Sequence, residues 1–597
     1  MIENKNLVLA IVLSVTVLLA FELIFAPNAP RPPQKTAETQ SQTAARQAPS
    51  QPNAPAASAA SQGPDAQIPT APGATTPSAP AMPSPQELVK ARSAALAAQP
   101  RVRIETPRLS GSISLVGGRI DDLTLVDYKE TLAKDSPSIV LFNPRGAAKT
   151  YFADFGWVSG TKDGKPVHKV PGPDTVWTPS AQALTPEKPL TLTWDNGEGL
   201  VFTRTIEIDK DFLFHVTQTV ANSTEAAAEL YPFGLISRHG TPKVSGFYIL
   251  HEGLLGVNEG ELREVDYDEI QEKKSVSDHG TGGWIGITDK YWLTVLAPNY
   301  DEAVTKRYHH GKSGVLDTYQ VDFLGDAITV PAGGNAKAES RLFAGAKETV
   351  LLDEYEEKFG IQRFDLAIDW GWFYFLTRPI FYGLLWINEH VGNVGIAILL
   401  LTVFIKLVFF PLANKSYVSM SKMKKLQPEM VKLRERYGED KMKLNEEMMA
   451  LYKREGANPA SGCLPILLQI PVFFALYKVL FVTIEMRQAP FYGWIKDLSA
   501  PDPTTIFNLF GAIPWTPPDF LYIGVWPLLM GATMLLQHKL NPQPADPIQA
   551  KIMMFLPIMF TFLLASFPAG LVIYWTWNNL LSIAQQWVIM RRMGVEA

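Results

Sequence analysis

The 597-residue chain is long enough for more than one domain, and its formal net charge of -5, from 54 basic and 59 acidic residues, lacks the basic excess of a general nucleic-acid binder. One cysteine, Cys463, excludes an intramolecular disulfide and a thiolate metal cluster, and the nine histidines show no metal-ligand spacing. No enzymatic motif is complete: His309-His310-Gly311-Lys312-Ser313 ends like a phosphate-binding loop, but Lys306 stands where that loop needs glycine, so no catalytic residue and no cofactor is expected.

Lys5 precedes an apolar run from Leu7 to Phe25. The run is longer than the ~7–15 residues of a signal-peptide core, and prolines crowd the following Ala26-Pro27-Asn28-Ala29-Pro30. Residues 1–26 therefore read as an uncleaved transmembrane anchor, with Glu22 near its outer end. Residues 27–100 are rich in Pro, Ala, Gln, Ser and Thr. From Pro27 to Gln86 only Ile68 and Met82, prolines aside, are apolar and larger than alanine. Such a stretch buries too little surface to offset its conformational entropy and reads as a disordered tether, followed by a short helix over Pro85–Gln99.

Residues 101–347 change to a period of two, as in Ser112-Ile113-Ser114-Leu115-Val116, Leu190-Thr191-Leu192-Thr193-Trp194 and Phe212-Leu213-Phe214-His215-Val216. Turn clusters such as Asp195-Asn196-Gly197 and Pro331-Ala332-Gly333-Gly334 separate the runs, which predicts an all-β sandwich or barrel. His215, His239, Glu252 and Asp266 lie within it and read as ordinary surface residues rather than an acid–base pair for sugar chemistry.

The first long helix is expected at Glu348–Phe359. Trp370, Trp372, Tyr374, Tyr382 and Trp386 then decorate an apolar stretch broken by Pro379, so residues 348–392 read as a linker helix and an amphipathic helix in the outer membrane interface. Five membrane spans are expected after it, at 393–412, 462–484, 521–540, 552–567 and 569–590, the fourth being short. The loop 413–461 holds 11 basic residues against two in the loop 485–520, which puts the first in the cytoplasm. With the anchor the spans number six, so both termini, including the 591–597 tail, fall inside with the 541–551 loop, and the β domain falls outside. In the cytoplasmic loop Met420, Met423, Leu426, Met430, Leu433 and Tyr437 recur every three or four residues before a Gly438-Glu439-Asp440 turn. Met442, Met449 and Tyr452 continue the pattern, and a helical hairpin with an adaptable methionine-rich face results, packed either on a partner or on itself.

Polar residues inside apolar spans are costly unless they face protein or water. Thr402 and Lys406 lie one turn apart in one span, the next carries Gln469 and Lys478, and the third carries Thr533 and Gln537, again one turn apart. In the last, Trp575, Asn579, Ser582 and Gln586 are spaced by four, three and four residues, which keeps them on one stripe. If these faces converge they line a hydrophilic groove in the membrane. Lys406 and Lys478 each sit about two turns from a span end, within reach of headgroups, so snorkelling competes with a functional role. A solute transporter would ask for matching pseudo-symmetric halves, and the sequence has none.

Taken in order, Asn393-Val394-Gly395 leading to Lys406, Pro411-Leu412, Met420-Ser421-Lys422-Met423, Leu426-Gln427-Pro428, Gly462-Cys463-Leu464-Pro465, Gln469-Ile470-Pro471, Asp497-Leu498-Ser499, Phe567-Pro568-Ala569-Gly570 and Gln585-Gln586 form one pattern. In it the chain resembles the YidC family of membrane protein insertases, in the Gram-negative form with a large periplasmic domain. The resemblance runs through essentially the whole chain and is densest from Trp370 to Met590. It implies a multi-domain inner-membrane protein with a five-helix insertase core, an N-terminal anchor and a periplasmic β-supersandwich. It further implies an ATP-independent insertase and chaperone, whose partners are nascent membrane proteins, the Sec translocon, the ribosome with the signal recognition particle pathway, and the bilayer. The groove's basic residue is commonly arginine in that family and is Lys406 here, which keeps the charge but not the planar fork of donors. An aromatic substrate-contact position, often tyrosine, matches Trp575.

Overall fold

The computed structural model describes residues 92–594 apart from 148, 245–249, 439, 459–463, 512, 514, 516, 519–521 and 542–546. The anchor and Glu22, the tether up to residue 91, and Cys463 lie outside the described residues. Of the short helix expected over 85–99, α1 (Arg92–Ala97) is described.

The period-two segments form two antiparallel-dominated sheets. In Leu200–Ile208 every second residue, Leu200, Phe202, Arg204, Ile206 and Ile208, is buried between the sheets, the alternation that pleating imposes. The Asp195-Asn196-Gly197 turn delivers the chain to this strand: Asp195 accepts the Gly197 N–H at 2.8 Å, and Gly197 takes φ +74°, a conformation open to a residue without Cβ. Leu200–Ile208 pairs with Leu213–Asn222, which pairs with Asn335–Ala346. That sheet extends through Trp292–Pro298, Trp284–Thr288 and Gly253–Asn258 to Glu261–Val265. The facing sheet runs from Ser275–Thr281 through Ala303–Ser313, Leu316–Gly325, Ala228–His239, Tyr151–Ser159, Ile120–Lys129, Leu109–Ser114 and Arg101–Glu105 to Ala183–Leu184. One short helix, α2 (Tyr267–Lys273), lies within the domain.

A buried arginine joins the sheets. Arg204 donates to the carbonyl of Gly118 at 2.7 Å and to that of Phe155, and lies 3.6 Å from Asp154, which also meets Arg119 at 3.4 Å. Burial pushes the Asp154 carboxyl up, and the charges of Arg204 and Arg119 pull it back.

Helix α3 (Thr349–Phe359) follows the last strand, and a 3-10 turn at Phe364–Ala367 leads to α4 (Tyr374–Val391). α4 buries Thr377, Ile380, Phe381 and Leu384, an i, i+3, i+4, i+7 face, and turns Trp386 outward, while Trp372 in the turn before it is 82% exposed. It continues through Pro379, where a break was expected, at the loss of one backbone hydrogen bond. The remaining helices are α5 (Val394–Val408), α6 (Phe410–Tyr437), α7 (Lys441–Arg454), α8 (Leu464–Val482), α9 (Val525–Leu540), α10 (Pro547–Leu563) and α11 (Ala569–Arg592).

Three boundaries differ from the sequence reading. The helix expected over 393–412 ends at Val408 and bends 70° into α6, because the ring of Pro411 obstructs the carbonyl one turn back and offers no N–H. The stretch expected from 552 begins at Pro547, and the one expected from 521 begins at Val525. Among the described residues no single helix is long and apolar enough to cross a membrane; the bent pair α5 and α6 meets the length and composition together. One apolar core runs from the sandwich, through Leu352, Phe364 and Trp370, into Phe381, Ala397, Ala475, Leu480 and Leu571 of the helices.

Replacing Arg204 by Ala leaves Asp154 short of a buried partner and is expected to destabilise the β domain by about 3–5 kcal/mol. Hydrogen exchange of the full chain in detergent checks this, with protection lost across Tyr151–Ser159 and Leu200–Ile208.

Candidate functional site

α5 is apolar apart from Thr402 and Lys406. Its start is fixed by Asn393, whose side chain accepts the Ile396 N–H at 3.1 Å. This cap sets the helix register and so the direction of Lys406, whose Nζ donates to Ser582 Oγ of α11 at 2.7 Å. Ser582 in turn donates to the Asn578 carbonyl at 2.8 Å, and the Tyr417 hydroxyl of α6 reaches the same serine. Thr402 is buried and donates to its own helix at the Ile398 carbonyl, at 2.6 Å.

Asn579 and Gln586 of the α11 stripe are buried against α9. Asn579 Nδ2 donates to Thr533 Oγ1 at 3.1 Å, and Thr533 donates to the Met530 carbonyl at 2.8 Å. Gln586 Nε2 donates to the Leu540 carbonyl at 3.2 Å and to Asn541 Oδ1 at 3.1 Å, while its Oε1 is buried without a partner among the described residues. Trp575 is half-buried between Phe473 of α8, edge-on at 4.7 Å, and Phe560 of α10 at 5.8 Å. Gln469 of α8 is half-buried and reaches the hydroxyl of Tyr574. Gln537 is half-buried on α9. α11 thus makes three separate polar contacts along its length, Ser582 with Lys406 of α5, Asn579 with Thr533 of α9 and Gln586 with the Leu540–Asn541 end of α9, with Thr402 turned onto its own backbone.

The methionines of α6 pack inward, whereas Met442 and Met449 of α7 are exposed. Met420, Met423 and Leu426 are buried with Tyr417, Leu451 and Ile589 of α11; Met430 and Leu433 pack against that cluster, and Tyr452 donates to Met430 Sδ at 3.4 Å. Tyr437, at the tip, lies under the cations of Arg436 and Lys443. Of the two packings open to the α6 face, on a partner or on the hairpin itself, this structure has it against α7 and α11. The β-domain acids and histidines disperse: His215 packs on Phe359, Glu252 accepts the Lys290 N–H, and Asp266 pairs with His251.

Sequence spacing missed the joint between the sandwich and the helices. Lys478 pairs with Asp369 at 2.7 Å. Arg487 donates to the Lys129 carbonyl at 2.5 Å and covers the Trp292 ring at 5.4 Å, and Lys290 sits over Phe481 at 3.7 Å. Glu485 Oε1 accepts the Thr349 N–H at 2.8 Å and so caps α3 from a distant segment, since the side chain of the N-cap residue Glu348 is engaged by Arg108 and Tyr128. These partners are far apart in sequence, and no local pattern marks them.

An all-β domain docked on apolar helices, with a lysine turned onto a polar stripe, defines the class of a membrane-associated protein with a large β domain. A family profile described as the YidC periplasmic domain matches residues 101–383, and one described as 60Kd inner membrane protein matches residues 386–596. The membrane protein insertase YidC of Beijerinckia indica subsp. indica is 55% identical over 522 residues, covering 86% of each chain. That of Methylobacterium sp. is 50% identical over 605 residues, covering 100% of this chain and 96% of its own. A solved structure of an active YidC insertase with its first transmembrane domain resolved covers 81% of this chain and 91% of its own at 17% identity, with a TM-score of 0.33. The chain belongs to the YidC family of membrane protein insertases, inner-membrane proteins with a periplasmic domain.

Burial pushes the Glu485 carboxyl from its ordinary 4.5 up to about 7; the Thr349 N–H pulls it down and the charge of Glu348 pushes it further up. A folded value above the unfolded one means that the folded state holds the proton more tightly. The stabilisation is full below 4.5 and is lost as the pH rises towards about 7. Thermal unfolding in detergent is expected to show a higher midpoint at mildly acidic than at mildly alkaline pH. Glu485→Gln should flatten that difference by raising the alkaline midpoint.

Proposed function

We propose that the chain inserts nascent inner-membrane proteins and helps them fold, alone or with the Sec translocon, by way of a hydrophilic groove carrying Lys406. The observation that carries this reading is the Lys406–Ser582 hydrogen bond, which directs the one cation of an otherwise apolar helix onto the polar row of α11 rather than towards lipid. In a low-dielectric setting the ammonium attracts the polar or acidic extracytoplasmic part of a substrate entering from the cytoplasm. Gln586 Oε1 adds an acceptor without a partner among the described residues. The apolar part of the substrate then passes Thr402 and Trp575 into lipid. Transfer of apolar surface out of water drives the step, and no nucleotide is consumed.

The helices α5, α8, α9, α10 and α11 cross the inner membrane in this reading, with both termini and the α6–α7 hairpin in the cytoplasm and the sandwich in the periplasm. The 11 basic residues of the 413–461 loop support that orientation. The basic hairpin suits delivery from the ribosome and the signal recognition particle pathway, and its buried methionine face opens for a partner by parting α6 from α7.

Replacing Lys406 tests the charge role through membrane integration of a small single-span substrate in vesicles. Lys406→Arg should insert at close to the normal rate. Lys406→Ala should lose a charge-assisted contact worth about 1.5–3 kcal/mol, a slowing of roughly tenfold or more. Lys406→Glu should be slower still, and an unimpaired rate with Glu refutes the proposal.

A further inference from the structure

Lys478 does not snorkel. Its side chain is 13% exposed and its ammonium meets Asp369 Oδ2 at 2.7 Å, in the strap between the sandwich and α4. The other oxygen of Asp369 accepts the Gly371 N–H at 3.0 Å and shapes the strap into a turn. Gly371 takes φ +72°, and a Cβ there would meet Lys478 Cε at 2.7 Å, so the stem of the lysine lies across the glycine. One turn earlier on the same face of α8, Phe474 stacks on Phe373 of the strap, with centroids 6.4 Å apart and planes 19° from parallel.

The neighbouring stripe of α8 looks towards α11. Phe473 meets Trp575 edge-on at 4.7 Å, and Tyr477 packs on Phe567 at 5.7 Å. α8 is therefore held on one face by the strap leaving the β domain and on the next by the helix that carries the polar row. The ion pair sits among further charges of the β domain. Glu264 feels both Asp369 and Lys478, and buried Lys347 feels Asp369 and Glu264. Removing one charge from such a half-buried set leaves its partner uncompensated, whereas apolar packing alone would let α8 slide or rotate.

We propose that the Lys478–Asp369 pair is a latch through which the β domain fixes α8 against Trp575, making Lys478 a positioning residue for insertion. The proposal rests on the groove reading above. It gives the β domain a mechanical part in insertion: the strap sets the position of α8, and α8 sets the width available beside Trp575.

The test uses the full-length chain in inner-membrane vesicles with Cys463→Ser and spin labels at Val315 of the β domain and Leu467 of α8, which are 77% and 45% exposed. Lys478→Met should broaden the Val315–Leu467 distance distribution and slow insertion of the single-span substrate about fivefold to tenfold, the scale of a coupling between sites. Asp369→Asn should do the same, the double variant should be no worse than either single one, and Lys478→Arg should restore both readouts. An unchanged distance distribution in Lys478→Met overturns the latch, as do additive losses in the double variant. A broadened distribution with an unimpaired insertion rate overturns its part in insertion. Full activity of Lys406→Glu in the same vesicles overturns the groove alone, because the label distance still reports the latch.

Discussion

A lysine in an apolar helix has two ways to lower its energy: reach water along its own stem, or meet a polar group on a neighbour. Lys406 takes the second, and much of the helical arrangement follows from that choice. For its ammonium to reach Ser582, α5 must pack on α11 in one rotational setting, which the Asn393 cap at the start of α5 helps to fix. α11 then presents Asn579 and Gln586 to α9, because residues three and four apart share a stripe. An apolar seam could slip by a residue at small cost, but this polar row cannot slip without leaving buried donors and acceptors unpaired.

The same logic governs the joint with the β domain. Lys478, Glu485 and Arg487 all leave the end of α8 or the loop after it, and each meets a group on the sandwich or on the strap that follows it. The apolar core is continuous across this joint, and the polar contacts fix the angle at which it forms. A carboxylate that caps a helix from a distant segment ties two folding units together: α3 gains its N-terminal acceptor only when the loop at Glu485 is in place.

The all-β domain was legible because pleating writes itself into sequence as alternation, and Leu200–Ile208 buries every second residue as it should. The same alternation places Arg204 among buried positions without saying that Asp154 waits for it on the other sheet. The α11 stripe was legible because helical spacing is local, and its partner helices could be guessed only from which other helices carried polar residues. The break at Phe409 was hidden by reading hydropathy through Pro411, where the missing N–H and not the polarity decides. The hairpin face was legible as a face, but a methionine-rich stripe looks the same whether it meets a partner or, as here, α7 and α11. Lys478 could be seen as costly, yet Asp369 lies over a hundred residues earlier, and only the strap's path brings it back.

Helix length ties these strands together. α5, with 15 residues, spans roughly 22 Å at 1.5 Å per residue, against about 30 Å of hydrocarbon. A helix of this length, unlike the 24-residue α11, fits a bilayer only if the bilayer thins beside it or if polar groups penetrate the hydrocarbon layer. Both adjustments act in the same direction. On the insertion mechanism proposed above, thinning shortens the distance a substrate's polar segment must travel, and a buried ammonium within that shortened path lowers the electrostatic barrier for an acidic one. In that proposal the short α5 and its inward lysine are two halves of one solution: a longer apolar helix would bury Lys406 more deeply, and a thinned bilayer without a cation would offer an acidic polar segment no preference for this site over bare lipid.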